Sequence, residues 1–598
     1  MARATTPAPT RRNGRTPAGG RTRRDRQLTE ARRALRRGDP ARAQQLLEDL
    51  HAADPTDLDV LRALGPLLLD RGEPQRALAV LARAAKQDAT HAPTLRALAS
   101  AGEQVGASDT ALALLQRLVD QDPADAERHA ALGRLLVARA QTTQAVGALQ
   151  RAATLAPDQA AIHRSLAAAL SNSDRLDEAA AAYRTALACE PDHAATHTSL
   201  AYVLDQLGDA DAAREHRARA VALAPADPGV AFSAKGHKRY TADDPQIAAL
   251  EQALASDALA HGRRPLAHLA LAKMHDDADA PATAAQHARA ANAQRASELA
   301  RRGLAYDATQ AERRAQALAV AAETAVADPG NTALDHPRTV LIAGLPRAGK
   351  TLLEHRVARH PRVALGGERH DLVAVRDALD AAAPKRYPIA LAKASAATRT
   401  RTGEALAHHV TAAVERDGVP ATANAALTST LPLNEELAPL LAWLDARTVL
   451  VSVERDPRDV LLANYLQWYP NNQPWAFTVE GLVHRHRTYL ALVERWQERL
   501  PVTVVRVRYE DLLADPDHVT ATVLDAAGLP WDAACADAPA GEQHDAASPM
   551  DKPDAGQPLH AGFVGAWQRW APHLPELVEA IDAAGLVDRV TPTQHATV

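Results

Sequence analysis

The residues with the clearest chemical potential form a glycine-rich loop, GLPRAGKT, at Gly344 to Thr351. A β-branched apolar run, Thr339 to Ala343, precedes the loop, and an apolar-periodic segment begins at Leu352. This pattern predicts a strand, a glycine loop and a helix. Such a loop directs backbone N–H groups and the positive end of a helix toward one point, where an oligo-anion binds. The sequence therefore predicts a local phosphate site.

The same loop matches G-x-x-x-x-G-K-[ST] in full, which is the pattern of nucleoside triphosphate binding. An ATP- or GTP-dependent enzyme is therefore one alternative. It would also need an acid at the end of a buried strand to hold magnesium. Glu454, in the segment VSVE, is the nearest residue for that role.

A second group of charged residues, RDPRD at Arg455 to Asp459, follows an apolar run at 447–453. Two guanidiniums at a strand end beside a helix start suit a terminal phosphomonoester. Each charged hydrogen bond would contribute about 1.5 to 3 kcal/mol. The alternative is a surface turn whose arginines pair with its own aspartates.

Three strands are expected to position these groups: 339–343, 447–453 and 503–508, the last one leading into RYEDL. They predict a P-loop-like α/β domain over 329–590 with a central parallel sheet. No set of ligands at metal spacing is evident, because the pairs His408-His409 and His484-x-His486 lack a partner Cys or acid. We therefore expect no metal requirement.

A 34-residue period runs through the preceding part of the chain. The phased residues are Leu64, Leu98, Leu132, Leu166 and Leu200; Ala77, Ala111, Ala145, Ala179 and Ala213; and Pro55, Ala89, Pro123, Pro157, Pro191 and Pro225. Gly72, Gly106 and Gly208 lie where a first helix must end. Each unit predicts a helical hairpin, and about six units over 27–228 resemble tetratricopeptide repeats. Such a solenoid usually binds a peptide or partner protein in its groove; a spacer or dimerisation arm is the alternative.

Two further segments flank the repeats. Residues 1–26 carry eight arginines and one acid, which predicts a disordered basic tail. Residues 229–328 keep a helical pattern but lose the period, which predicts a helical connector. The fold class is thus α + α/β.

Composition excludes several functional classes. Lys and Arg total 68 against 73 Asp and Glu, a net charge of −5, so we expect no nucleic-acid partner. Only two cysteines and no long apolar run are present, which predicts a cytoplasmic protein without a disulfide framework or membrane segment.

The segments after the repeats resemble bacterial sulfotransferases that follow tetratricopeptide repeats and, more distantly, protein-tyrosine sulfotransferases. The matching segments are the loop with Pro346-Arg347, TLLEHRVARHPRV with Gly366-Gly367-Glu368, RTVLVSVERDPRDVLLANYLQWY, VVRVRYEDLLADP and QPLHAGFVGAWQRW. The resemblance implies in-line transfer of a sulfuryl group from 3′-phosphoadenosine 5′-phosphosulfate to an acceptor hydroxyl compound or peptide.

Most site residues follow from that resemblance by position, whereas the contact from Asn464 and the catalytic role of Lys350 would compensate for departures from the family pattern. Glu368 would be the general base, with His370 as the alternative, and Lys350 would act in catalysis. Donor binding would fall to Arg347, Ala348, Gly349, Lys350, Thr351, Arg455 and Asn464. Arg455 would hold the 3′-phosphate, and the loop would hold the 5′-phosphosulfate.

The chain also departs from the family pattern at the donor site. Ala463 replaces a serine, for which Asn464 could substitute, and Ser429-Thr430 replaces an Asp-Lys pair. The closing segment has Gly562-Phe563 for a serine pair and His560 for an aromatic residue. Lys350, where the family has Thr, could supply the lost charge. A non-catalytic scaffold with a degenerate domain is therefore the second alternative.

Overall fold

The computed structural model describes residues 18–105, 109–139, 141–173, 175–234, 239–256, 259–327, 336–368, 371–383, 385–431, 434–469, 473–536, 563–590 and 594–596. The chain divides into two compact units, Met1–Ala224 and Pro225–Val598. Apart from the amino-terminal one, the predicted domain limits stay predictions. None of the described helices combines the length and apolar character needed to cross a bilayer.

The first unit is built from twelve helices within the described residues. They are α1 Ala18–Arg36, α2 Pro40–Ala53, α3 Leu58–Asp70, α4 Pro74–Gln87, α5 Ala92–Gln104, α6 Asp109–Gln121, α7 Ala126–Ala138, α8 Thr142–Leu155, α9 Ala160–Ser171, α10 Leu176–Cys189, α11 Ala194–Gln206 and α12 Ala210–Leu223. Every member of the leucine series and of the alanine series from Ala77 to Ala213 is buried. The period therefore marks the faces through which the helical hairpins stack.

Small residues let the helices of this unit approach closely. A Cβ added to Gly65 would lie 2.4 Å from Cδ2 of Leu81, so a side chain there would displace Leu81. Gly72 and Gly208 follow α3 and α11 with φ of 75° and 81°, which glycine adopts without a steric cost. Gly106 lies outside the described residues.

The amino-terminal boundary differs from the predicted one. Helix α1 begins at Ala18, inside the segment for which disorder was expected, and residues 1–17 lie outside the described part. The Arg24 guanidinium bonds to Asp57 and Asp59 at 2.7 Å each. These pairs give a charged segment tertiary partners that composition alone does not reveal.

The second unit opens with five helices before its sheet. They are α13 Pro228–Ala234, α14 Pro245–Ala255, α15 Arg264–Asp277, α16 Pro281–Arg301 and α17 Ala308–Ala327. Pro245, Pro265 and Pro281 each lie in the first turn of a helix, where the missing N–H costs no hydrogen bond.

A six-stranded sheet forms the centre of the second unit, in the order β2-β3-β1-β4-β5-β6. The strands are β1 Arg338–Ala343, β2 Val363–Ala364, β3 Ala426–Ser429, β4 Val449–Glu454, β5 Thr503–Arg508 and β6 Gln594–Ala596. The first five pair in parallel, and β6 is antiparallel to β5. The predicted central parallel sheet is confirmed.

Helices cover the faces of this sheet. They are α18 Lys350–Val357, α19 Asp371–Ala382, α20 Ala396–Arg416, α21 Asn434–Leu444, α22 Pro457–Tyr465, α23 Val479–Arg499, α24 Tyr509–Ala514, α25 Pro516–Ala526, α26 Trp567–Trp570 and α27 Pro575–Ala583. Every residue of β4 is buried, as expected for a parallel strand covered on both faces. Strands β3 and β4 lie on opposite sides of β1, so the strand order reverses at β1. Such sheets bind ligands in the crevice at this point, beyond the carboxyl ends of β1 and β4.

Candidate functional site

The glycine loop joins β1 to α18 at the carboxyl edge of the sheet. Three of its residues have positive φ: Gly344 at 152°, Arg347 at 70° and Gly349 at 100°. Gly349 is the N-cap of α18, whose first residue is Lys350. The loop therefore turns sharply and presents the amino end of an eight-residue helix at this edge.

Two close contacts fix the loop against the neighbouring strands. A Cβ on Gly344 would lie 2.7 Å from the carbonyl oxygen of Val453 in β4. A Cβ on Gly349 would lie 2.3 Å from Cδ2 of Tyr509, the aromatic residue of RYEDL. The loop thus requires glycine at both positions, for conformation and for space.

Arg455 lies at the end of β4 and connects the loop with the carboxyl-terminal segment. Its Nη1 donates to the carbonyl of Arg347 at 3.2 Å, and its Nη2 donates to the carbonyl of Phe563. Its guanidinium lies over the Tyr509 ring, 5.0 Å from the centroid. The side chain is 7% exposed, and its buried Nε has no hydrogen-bond partner among the described residues. One buried cationic donor thus remains unused.

The other residues of RDPRD are used internally. Arg458 forms a two-point pair with Asp456, at 3.0 and 2.7 Å, and stacks on Trp567 at 4.1 Å. Asp459 accepts the backbone N–H groups of Gly565 and Trp567, and burial raises its pKa. The turn therefore contains the Arg–Asp pair of the alternative interpretation, while Arg455 lies only 3.7 Å from Asp459 without a hydrogen bond between them.

Lys350 is buried at the start of α18, and this burial lowers its pKa. Glu368, Glu435 and Glu354 oppose that shift, so all three carboxylates are close enough to interact with its charge. Glu368 is exposed. The structure therefore brings the two predicted catalytic residues into one electrostatic neighbourhood, while His370 lies outside the described residues.

A buried carboxylate that sequence reasoning missed lies one turn beyond Lys350. Glu354 accepts from the Thr428 hydroxyl at 2.8 Å, the Thr430 hydroxyl at 2.9 Å and the Gly367 amide at 2.9 Å. Burial raises its pKa. Thr430 therefore bonds to this acid where the family has a lysine. The available signal was the position of Glu354 four residues after Lys350, on the same helix face.

The remaining predicted donor-site residues surround the loop. Asn464 donates to the carbonyls of Pro346 and Val460 at 2.8 and 2.7 Å, and accepts the Tyr469 hydroxyl at 2.6 Å. Both of its amide hydrogens are therefore used to hold backbone, one of them on the loop itself. Ala348 and Ala463 are buried, and Thr351 is exposed. His560 and Gly562 lie outside the described residues. The binding and catalytic roles stay predictions.

Glu454 has a partner that bears on the magnesium hypothesis. Arg506 in β5 donates to both of its carboxylate oxygens, at 2.7 and 2.6 Å, and Ser452 donates to one of them at 3.1 Å. The pair is almost fully buried. A carboxylate held in this way is not free to coordinate magnesium, which weakens the triphosphate alternative.

Known family models match both the repeats and the carboxyl-terminal domain. Residues 337–533 match the model of the sulfotransferase family. Residues 34–101 match one tetratricopeptide repeat model, and 130–194 and 168–228 match another. The predicted resemblance is thereby confirmed, at the level of family and fold.

Individual relatives are distant. An uncharacterised protein of Aquifex aeolicus is 23% identical over 208 residues, which are 33% of this chain and 26% of that protein. The chain thus spans about a quarter of this curated relative. Among solved structures, MamA from Desulfovibrio magneticus (24% identity, 28% of this chain, 95% of that chain, TM-score 0.24) and pilF from Pseudomonas aeruginosa (18%, 36%, 96%, 0.28) are similar. Both TM-scores are below 0.5, so neither supports a functional assignment. The chain carries tetratricopeptide repeats followed by a domain of the sulfotransferase family.

Proposed function

We propose that the chain transfers a sulfuryl group from 3′-phosphoadenosine 5′-phosphosulfate to an acceptor hydroxyl. The observation that carries the proposal is the position of Arg455, a buried guanidinium that bonds to the glycine loop through Arg347 and keeps one buried N–H unpartnered. A site that takes a nucleotide with a second, terminal phosphate needs such a cation beside the loop. The match of this segment to the sulfotransferase family supports that choice of nucleotide.

The residues present fit such a donor. The backbone amides of Arg347 to Thr351, at the amino end of α18, would hold the 5′-phosphosulfate together with the Arg347 and Lys350 side chains. Arg455 would hold the 3′-phosphate through its free N–H. Asn464 would act as a positioning residue, because it bonds to the Pro346 carbonyl and so fixes the loop.

Glu368 is the proposed general base. Its carboxylate is exposed, as a group that meets an incoming acceptor must be, and it interacts electrostatically with Lys350. It would take the proton of the acceptor hydroxyl while the loop and Lys350 stabilise charge on the departing phosphate. Lys350 would supply the positive charge that Thr430, bonded to Glu354, does not provide.

Two alternatives remain beside this proposal. A magnesium-dependent triphosphate enzyme has the complete loop pattern, but its nearest acid, Glu454, is held by Arg506. A non-catalytic scaffold is favoured by Thr430, Ala463 and Phe563, which replace donor-contacting residues of the family. The repeats would recruit the acceptor or a partner protein, and we propose a cytoplasmic setting.

Calorimetry on the full-length chain tests the proposal. Adenosine 3′,5′-bisphosphate should bind more tightly than ATP or GTP with magnesium, and Arg455→Ala should weaken the bisphosphate by about 10- to 150-fold, the effect of a charged hydrogen bond. Arg458→Ala is the matched control, because that guanidinium already pairs with Asp456, and it should bind nearly as the wild type. Preference for a triphosphate would favour the magnesium enzyme, and absence of nucleotide binding would favour the scaffold.

A further inference from the structure

A cluster of imidazole and carboxylate groups lies far along the chain from the glycine loop, on the helices α14, α15 and α16. We propose that Glu251, His275 and His287 bind one divalent transition-metal ion, for which zinc is the reference ion. Each residue comes from a different helix, and one ligand atom from each lies within 4.8 Å of the other two. Among the described residues, this is the one set of three or more such groups that meets this distance.

The side chains already contact one another. Nε2 of His275 lies 3.1 Å from Oε1 of Glu251, and the rings of His275 and His287 stack with 5.4 Å between centroids and 8° between planes. Zinc–nitrogen and zinc–oxygen bonds near 2.1 Å place tetrahedral ligands about 3.4 Å apart. Small side-chain rotations would therefore bring the three ligand atoms to coordination distance.

His268 supplies an outer partner for one of the ligands. Its Nδ1 lies 2.9 Å from Nδ1 of His287, so one of these two nitrogens carries the hydrogen and the other accepts it. When His287 donates, its Nε2 keeps a lone pair for a metal. A ligating imidazole generally donates its second N–H to such a partner, which fixes the tautomer and increases its basicity.

The protonation state of His287 suits a ligand. Burial, with the charges of His268 and His275, lowers its pKa to about 4, so the imidazole is neutral at physiological pH. A neutral imidazole binds a metal without first losing a proton. Glu251 is about half exposed and gives the ion a route from solvent, so water can complete the coordination.

Two imidazoles and one carboxylate favour zinc, iron, cobalt or nickel over calcium or magnesium, which prefer oxygen ligands alone. The ion would join α14 to the hairpin of α15 and α16. Because a preformed site rarely exists in an unfolded chain, metal binding would stabilise this part of the second unit.

The repeats contain a natural control for this geometry. His197 and His216 have the same Nδ1–Nδ1 contact, at 2.8 Å, with ring centroids 5.1 Å apart. No carboxylate among the described residues completes a three-ligand set with them. A histidine pair with this contact therefore occurs in the repeats and in the second unit. The proposed site differs from the pair in the repeats because Glu251 and His275 lie beside it.

The test uses the untagged, full-length protein after treatment with a chelator. Zinc chloride alone, titrated in competition with a chromophoric chelator, should saturate one site per chain and raise the melting temperature. His287→Ala and Glu251→Gln should each weaken this site at least 10-fold and remove the thermal shift, whereas His216→Ala should change neither. Glu251→Gln replaces a half-exposed side chain and so keeps the proposal testable if His287→Ala fails to fold. Absence of a stoichiometric site, or zinc binding unchanged in both cluster variants, would overturn the proposal.

Discussion

A buried carboxylate lies on each side of the carboxyl edge of the sheet, and the two have different hydrogen-bond partners. On the β4–β5 side, Glu454 pairs through both oxygens with Arg506. On the β1–β3 side, the hydrogen bonds to Glu354 from the described residues come from uncharged donors, Thr428, Thr430 and a backbone amide. The first carboxylate has a charged hydrogen-bond partner, whereas the hydrogen bonds described for the second come from uncharged groups.

This difference indicates how one edge could serve two reactants. The β4–β5 side concentrates guanidiniums, of which Arg455 keeps a free N–H, and suits an anionic nucleotide. The β1–β3 side holds carboxylates that interact with Lys350 and, under the proposed function, would meet a neutral hydroxyl with a proton to lose. Lys350 lies between the two sides, at the start of α18, where charge would develop during the proposed sulfuryl transfer.

The largest expected effect comes from removing the ion pair between Glu454 and Arg506. Glu454→Gln should lower the free energy of unfolding by about 3 to 5 kcal/mol, because it leaves the Arg506 guanidinium buried without a counter-charge. Denaturant unfolding of the full chain measures this. Glu494→Gln is the control, since it removes a partly exposed pair in which one Arg589 nitrogen bonds to both carboxylate oxygens, and should cost about 1 kcal/mol or less.

The same variant separates two functions of Glu454. If this acid held magnesium instead, Glu454→Gln would leave stability nearly unchanged and abolish magnesium-dependent triphosphate binding. A stable Glu454→Gln protein would therefore contradict the structural role assigned to the pair.

Loss of the Lys350 ammonium group should have the next largest effect. Lys350→Thr should slow conversion of the sulfuryl donor to adenosine 3′,5′-bisphosphate, with a simple phenol as acceptor, by about 100-fold, the typical effect of removing one group that stabilises developing charge. Adding Thr430→Lys to this variant should restore part of the rate, because position 430 already contacts Glu354. A full rate in Lys350→Thr would refute the compensation.

The loop that joins the two sides provides a smaller test. Gly349→Ala should destabilise the protein by about 1 to 3 kcal/mol more than Gly418→Ala and weaken bisphosphate binding. Both glycines have positive φ, at 100° and 73°, but only Gly349 would meet an aromatic ring. Equal melting temperatures for the two variants would indicate that the Tyr509 ring moves aside with little loss of stability.

The sequence predicted the repeats and the sheet well because their signals are local or periodic. Every residue of the 34-residue leucine and alanine series is buried in the hairpins, and apolar runs mark β1, β4 and β5. The glycine loop and Arg455 were also predictable, since parallel strands end at one edge.

The contacts that define the site could not be predicted in the same way. The hydrogen bonds from Arg455 to Arg347 and from Thr430 to Glu354 join residues 108 and 76 positions apart. No single-sequence pattern distinguishes Glu354, held by neutral donors, from Glu454, held by an arginine. The helix start inside the basic tail was missed for the same reason, because Arg24 finds its acids on another hairpin.

The smallest expected effect concerns the sign of a pH dependence. Burial raises the pKa of Glu354 above its usual 4.5, so the stability that it contributes relative to Glu354→Gln is complete below pH 4.5 and is lost as the pH rises through the raised pKa. Glu576 behaves oppositely, because its hydrogen bond from Arg289 lowers the pKa. Its advantage over Glu576→Gln is present above pH 4.5 and is lost as the pH falls. Unfolding of the three proteins from pH 3 to pH 8 should therefore give differences that change in opposite directions and in different windows. A Glu354→Gln difference that stays constant above pH 5 would mean that the hydroxyl and amide donors fully offset burial, and the two sides of the edge would then differ in partners but not in charge.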